Sequence, residues 1–195
     1  EGAAMLVLAK ERGAATVELA GGGRSLDAYH LTAPDPQGAG ATQAMRAALA
    51  MAGAKGVDYI QAHGTSTPLN DAIEAQALQQ VFGAQLARAK VSSVKGALGH
   101  WIAGAGALGF LCAYGALADG IVLPTANLTQ PDSACDLPHV LPPAVGTSTQ
   151  DFGMPAPGER PSTPSNVPRH SCELALVNAF AFGGANCSLV LRRCA

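Results

Sequence analysis

A strand-like run hands over to a helix-like run across a polar loop, and this junction constrains the fold more than any other stretch. Residues 57–62 (Val-Asp-Tyr-Ile-Gln-Ala) are rich in apolar residues and fit a short buried strand. Residues 72–82 place their apolar residues at helical spacing. Between them runs His63-Gly-Thr-Ser-Thr-Pro-Leu-Asn-Asp. His63 therefore sits where a strand ends and a helix begins, and in open α/β sheets ligands collect at that end of the strand. Thr65, Ser66 and Thr67 supply hydroxyls, and Pro68 stiffens the turn. Asp71 with Glu74 three residues later has capping-box-like spacing. The plainer reading of the same residues is a polar turn before a capped helix.

The chain on either side extends this pattern. Residues 3–9 and 16–19 read as two strands split by Lys10-Glu11-Arg12-Gly13, and Gly21, Gly22 and Gly23 suit a bulge or an edge. Residues 25–38 read as a loop broken by Pro34 and Pro36, and residues 42–51 as an Ala-rich helix stopped by Gly53. A short strand is predicted over 91–94, then Lys95 to His100, then a small-residue helix over 101–118. Residues 144–170 have almost no apolar periodicity and read as an exposed or partly disordered insertion. Strands at 174–178 and 187–191 close the chain, joined by a segment containing Phe182-Gly183-Gly184 and Asn186. Strands alternate with helices in the middle and pair as hairpins at both ends. The predicted fold class is α/β, with a mixed sheet and helices on both faces.

Composition narrows the function classes. The net charge is −2 without a basic run, and aromatics are 5%, which argues against a nucleic-acid partner. Hydrophobic residues at 48% against 13% charged suggest that some apolar surface meets another chain. Residues 101–118 are uncharged and approach the length of a membrane span, but four glycines and six alanines favour a tightly packed core helix, so no membrane is expected. Five cysteines, an odd count without a C-x-x-C pair, predict neither a disulfide framework nor a zinc knuckle, and point to a reducing, cytoplasmic compartment. The chain opens without Met and runs directly into a strand-like stretch, as a fragment or a processed piece would.

Three loops each put special residues after a strand: His63, Thr65 and Thr67 in the first, Lys95 and His100 in the second, Phe182, Gly183, Gly184 and Asn186 in the third. If the strands share one sheet, the loops can converge at one edge. Two imidazoles there could both donate to one carbonyl oxygen and stabilise an enolate as charge develops. Paired glycines let a backbone approach a ligand and leave an N–H free to point at it. Each element alone has a plainer reading: a structural histidine, a solvated lysine, a core phenylalanine, a turn. No third ligand with suitable spacing accompanies His63 and His100, so no metal site is expected.

Together these residues carry a resemblance. His63-Gly-Thr-Ser-Thr-Pro with Asn70-Asp71 and Glu74 resembles the first histidine motif of the 3-oxoacyl-(acyl carrier protein) synthases. Lys95, then Gly99-His100 and Gly104-Ala-Gly-Ala, resembles their lysine and second-histidine motif. Asn178-Ala-Phe-Ala-Phe182-Gly-Gly-Ala-Asn186 resembles their C-terminal glycine loop, and Ser25 to Pro34 their loop before a helix. The four motifs, in the family's order, are most similar to elongating type II condensing enzymes. The resemblance implies a thiolase-like fold, with residues 1–36 as the closing hairpin and loop of an N-terminal half. Residues 37–195 would be the C-terminal domain, carrying the 144–170 insertion.

It implies decarboxylative Claisen condensation of an acyl thioester with malonyl-carrier protein, in fatty acid or polyketide synthesis. His63 and His100 would promote decarboxylation and hold the thioester carbonyl. Lys95 would support the second histidine. Phe182 would gate acyl entry while its backbone N–H joins an oxyanion hole, with Gly183 and Asn186 in the same loop. Thr65 and Thr67 would bind the phosphopantetheine arm, which the acyl carrier protein delivers, so no separate cofactor is implied. The implied partners are the N-terminal half with its nucleophilic cysteine, the carrier protein, and a second synthase subunit in a homodimer or heterodimer. None of the five cysteines lies in the family's nucleophile motif, so this chain alone is not expected to perform acyl transfer. Gly109 stands where many members carry a glutamate nine positions past the second histidine, and Ala179, Ala181 and Ala185 replace residues often Ser, Gly and Thr. The alternative is a non-catalytic, chain-length-factor-like partner subunit; retention of both histidines and Lys95 speaks against it, and Gly109 mildly for it.

Overall fold

Five strands form one mixed sheet in the order β1-β5-β4-β2-β3, in a computed structural model that describes residues 2–11, 13–142 and 169–194. The strands are β1 Val17–Leu26, β2 Tyr59–Gln61, β3 Lys90–Ser92, β4 Leu174–Ala181 and β5 Ala185–Arg193. The helices are α1 Ala39–Ala52, α2 Pro68–Phe82, α3 Lys95–Leu98 and α4 Ala105–Asp119. β2 lies between β3 and β4 and is parallel to both, while β4–β5 and β5–β1 are antiparallel. This is the mixed α/β sheet expected.

Alternation along the strands separates two cores. Ile60, Leu176 and Val190 face α1 and α2, where Met45, Leu49, Leu78 and Phe82 are buried. Tyr59, Ala175, Val177 and Leu191 face the other way, onto Phe110, Ala113, Ala116 and Leu117 of α4. The run Ile102–Asp119 is long and apolar enough by composition to cross a membrane, yet here one stripe of it covers a sheet face.

The N-terminal expectation needs correction. Residues 3–9 form no strand and therefore no hairpin with β1. Met5, Val7 and Leu8 are exposed, and β1 takes β5 as its partner across the sheet instead. Apolar composition supports a strand only where another edge offers hydrogen bonds. β1 is longer than residues 16–19 and absorbs Ser25 and Leu26 from the predicted loop. It is an edge strand with a bulge between Leu19 and Gly21, as the glycine run suggested. Of the predicted insertion over 144–170, only Arg169 and His170 fall among the described residues. Both return to the end of α4, where the Arg169 guanidinium donates to the Asp119 carbonyl at 2.6 Å and the His170 N–H to the Gly120 carbonyl at 2.7 Å.

The glycines of β1 set how close α1 can lie. A Cβ on Gly23 would stand 2.0 Å from the Ala44 carbonyl oxygen, and one on Gly21 2.2 Å from that of Ala48. Both clashes are with helix backbone, which cannot swing aside. Gly22 points to the opposite face, where a Cβ would meet only the Leu189 side chain, at 3.4 Å. We expect Gly23→Ala to destabilise the protein by about 2–3 kcal/mol and Gly22→Ala by less than about 1 kcal/mol in urea unfolding. Equal losses would contradict this account of the layer spacing.

Candidate active site

The parallel strands β2, β3 and β4 all end at one edge of the sheet, so the segments carrying His63, Lys95 and Phe182 leave it on the same side. β1 ends and β5 begins at that edge too, which brings Asp27 and Asn186 there. The connection after β2 runs to α2 on one face, and the connection after β3 runs to α4 on the other. Loops that part in this way open a crevice over the strand ends.

His63 is buried at the bottom of the first loop. Its position is set by Glu74, a turn and a half into α2 and only 3% exposed. The Glu74 carboxylate accepts the backbone N–H groups of His63 and Gly64, each at 2.9 Å, and the Asn178 amide N–H at 3.1 Å. Glu74 is thus not part of a capping box. The helix starts earlier, with Pro68 in its first turn, and Asp71 accepts the Ser66 N–H at 3.1 Å. The spacing that suggested a cap instead carries the carboxylate back beneath the strand end. Sequence reasoning placed Glu74 in a helix-start signal and in the first histidine motif but gave it no task at His63. The available hint was an acid in an otherwise apolar helix stripe with Ala75, Ala77 and Leu78.

Lys95 departs from its expected place. Its ammonium donates to the His63 carbonyl oxygen and lies 3.5 Å from His63 Nδ1, so it serves the first histidine and not the second. Ser93, just before it, donates from Oγ to the Gly64 carbonyl at 3.2 Å and accepts the Lys95 N–H at 3.4 Å. The His100 ring lies edge-to-face on the His63 ring, with centroids 5.6 Å apart at 86°. His100 Nδ1 accepts the Ile102 N–H at 2.9 Å. Ile102 holds φ at +49°, a costly left-handed setting for a β-branched residue, and Ser66 holds +59° beside the other histidine.

These contacts fix the chemistry of the rings. The Ile102 N–H directed at His100 Nδ1 leaves that ring's hydrogen on Nε2, and the Lys95 ammonium 3.5 Å from His63 Nδ1 favours the same tautomer there. Burial, with Lys95 and His100 adding to it, takes the pKa of His63 from the ordinary 6.5 down to about 3. His63 is therefore neutral at physiological pH and a hydrogen-bond donor through Nε2. Burial lowers Lys95 although Glu74 and Asp71 pull it upward. Burial raises Glu74 against the pull of the Gly64 and His63 N–H groups, the Asn178 amide and Lys95.

The third loop is rearranged from expectation. Phe182 is 81% exposed, and it is Phe180, on β4, whose ring tilts over His63 with centroids 5.4 Å apart. Phe180 shares the face of Leu176 and Asn178 by strand alternation, a signal that the choice of Phe182 passed over. The Gly183 N–H is not free, since it donates to the Leu31 carbonyl at 2.6 Å. Asn186 is buried and donates to Asp27 Oδ1 at 2.6 Å and to the Gly184 carbonyl at 3.0 Å, so its amide ties the turn to the end of β1. Thr65 and Thr67 lie together on the outer side of the first loop, their hydroxyls 2.9 Å apart.

Burial pushes Cys112 up to about 11 and raises Cys135 and Cys172, the opposite of nucleophile activation. Among the described residues, no group of three or more His, Cys, Asp or Glu is placed to hold a metal ion.

Residues 16–129 match the family model described as beta-ketoacyl synthase, C-terminal domain. The 3-oxoacyl-[acyl-carrier-protein] synthase 2 of Coxiella burnetii is 38% identical over 201 residues, covering 99% of this chain and 43% of that protein. The ishigamide ketosynthase/chain length factor superposes with a TM-score of 0.75 at 30% identity, over 92% of this chain and 38% of that one. A type II polyketide synthase acyl-carrier protein in complex with its ketosynthase bound to the hexaketide gives a TM-score of 0.76 at 26% identity, over 92% and 39%. The chain thus spans about 43% of the length of this curated relative.

The lowered pKa of His63 makes a prediction about stability. The unfolded histidine takes up a proton near pH 6.5, whereas the folded one resists it down to about 3. The unfolded state therefore binds more protons across that window, and this contribution erodes stability as pH falls from 6.5 toward 3. His63→Gln should flatten the acid limb of stability against pH measured by urea titration. An acid limb as steep as that of the unaltered protein would contradict the assignment.

Proposed function

The chain belongs to the beta-ketoacyl synthase family, and from that membership we propose that it supplies the two-histidine part of a 3-oxoacyl-(acyl carrier protein) synthase. The observation that carries this reading is the pair His63 and His100, 5.6 Å apart, both holding their ring hydrogens on Nε2 over the strand ends. Ring N–H donors from two adjacent imidazoles suit an oxygen that becomes anionic only during reaction.

The reaction we propose is decarboxylative Claisen condensation. The bond between the malonyl methylene carbon and its carboxylate breaks, and carbon dioxide leaves. The bonding pair passes to the thioester oxygen, giving an enolate that the Nε2–H groups of His63 and His100 stabilise. The enolate carbon then bonds to the carbonyl carbon of an acyl group carried as a thioester on a cysteine of the N-terminal half, and that cysteine leaves as thiolate. Lys95 holds the His63 ring and carbonyl, so its task is to keep the first donor oriented. Exposed Phe182 fits a gate at the acyl entrance, and Thr65 and Thr67 offer hydroxyls to a phosphopantetheine arm. The acyl carrier protein and a second synthase subunit are the proposed partners, in keeping with the assemblies of the related ketosynthases. Five unpaired cysteines suit a reducing cytoplasm.

A second reading, a chain-length-factor-like subunit without turnover, rests on Gly109. This residue lies on α4, where a Cβ would stand 3.3 Å from both Gln61 and Val177, and it brings no carboxylate toward the site. The residue at the nucleophile position of the N-terminal half separates the readings, cysteine meaning enzyme and any non-nucleophile meaning partner.

In the synthase assembled with that half, His63→Ala or His100→Ala should lower malonyl decarboxylation by about 10²–10³-fold, in line with loss of one oxyanion donor. Decarboxylation at the unaltered rate in either variant, followed as carbon dioxide release, would rule out the assigned roles.

A further inference from the structure

Beneath the histidines runs a buried chain of hydrogen bonds that the proposed reaction does not use directly. Ser188 on β5 donates from Oγ to Asn178 Oδ1 at 2.8 Å. Asn178 on β4 donates from Nδ2 to Glu74 Oε1 at 3.1 Å. Glu74 accepts the backbone N–H groups of His63 and Gly64. The three side chains are 0%, 3% and 3% exposed, so water does not substitute for any link. Ser188 and Asn178 are cross-strand partners in the β4–β5 ladder, and both point to the face that α1 and α2 cover. The sulfur of Met45 lies 3.5 Å from Asn178 Nδ2 on the α1 side.

The chain has a direction. The Glu74 carboxylate only accepts, so it turns the Asn178 NH2 group toward itself, and the Asn178 oxygen then faces β5 and accepts the Ser188 hydroxyl. Every donor then points toward the carboxylate, and the carboxylate fixes two consecutive peptide N–H groups at the end of β2. Lys95 grips the carbonyl of the same His63 residue from above. His63 is thus held through its N–H from α2 and through its carbonyl from α3.

We propose that Asn178 and Ser188 are positioning residues for the condensation, setting the place of the His63 donor through Glu74. The proposal rests on the function assigned above, and its test includes a readout that does not need turnover. In the synthase assembled with its N-terminal half, Asn178→Asp puts a second carboxyl against Glu74. The two acids then share one proton at low pH, which restores a donor to Glu74, and lose it as pH rises. Decarboxylation by this variant should approach that of the unaltered enzyme at acid pH and fall at least tenfold toward neutral pH, with KM little changed. Ser188→Ala should lower kcat about tenfold without this pH shape, as loss of one buried hydrogen bond does.

The second readout is hydrogen exchange at the His63 and Gly64 amides followed by mass spectrometry. Both variants should speed exchange there at least tenfold while leaving α1 unchanged. Unchanged exchange at those amides, or exchange raised equally in α1, overturns the relay. A fall in kcat with no change in pH shape for Asn178→Asp does the same, since a merely structural role predicts that. Faster local exchange in an assembly whose unaltered form does not decarboxylate malonyl thioester upholds the relay and refutes the functional reading instead. If Ser188→Ala does not fold, Asn178→Asp carries both readouts alone.

Discussion

One buried carboxylate holds the site together. Glu74 has almost no contact with water, and a charge in that position persists only when donors surround it. Its donors come from two parts of the chain: the peptide groups of His63 and Gly64 at the end of β2, and the amide of Asn178 on β4. The carboxylate itself belongs to α2. A helix, a loop and the neighbouring strand are therefore joined at one point, and the first histidine is part of that joint. Removing the carboxylate would leave two buried peptide N–H groups without partners, which costs more than the hydrogen bonds themselves contribute.

The same economy of water governs the electrostatics above it. Burial drives His63 toward its neutral form, and the neighbouring Lys95 and His100 push the same way. A lysine pressed against the carbonyl and Nδ1 of His63 then does not create an imidazolium; it selects a tautomer. His100 reaches the same tautomer by a different device, an N–H from a strained Ile102. The left-handed residues beside both rings indicate that the surrounding packing over-determines these turns. In the proposed reaction, Nε2–H donors are well matched to an oxygen that acquires charge late, because such a donor bonds an enolate oxygen more strongly than a thioester carbonyl.

Much of the architecture was legible in the sequence. Residues 57–62 gave β2, the Ala-rich run before Gly53 gave α1, and the clustering of polar residues after three strands located the crevice. Those signals are local: periodicity, stop residues and strand-end loops. The misreadings arose where a partner decides. Residues 3–9 have strand composition but pair with no strand among the described residues. Glu74 has capping spacing but turns inward. Phe182 and Phe180 sit two apart in one motif, and only the pairing of β4 with β5 shows that Phe180 lies against His63 while Phe182 projects from the turn.

The sequence by itself determined the α/β class and most of the elements, and it placed His63 and His100 in loops after strands, because periodicity and stop residues are written along short stretches. The tertiary structure alone decided that Lys95 serves His63, that Asn186 braces Asp27, and that Ser188 reaches the site through Asn178 and Glu74. Ser188 and Glu74 are more than a hundred residues apart in the chain. Their link exists because β4 and β5 hold a fixed register and α2 lies over that face, so the carboxylate meets the Asn178 amide that Ser188 anchors.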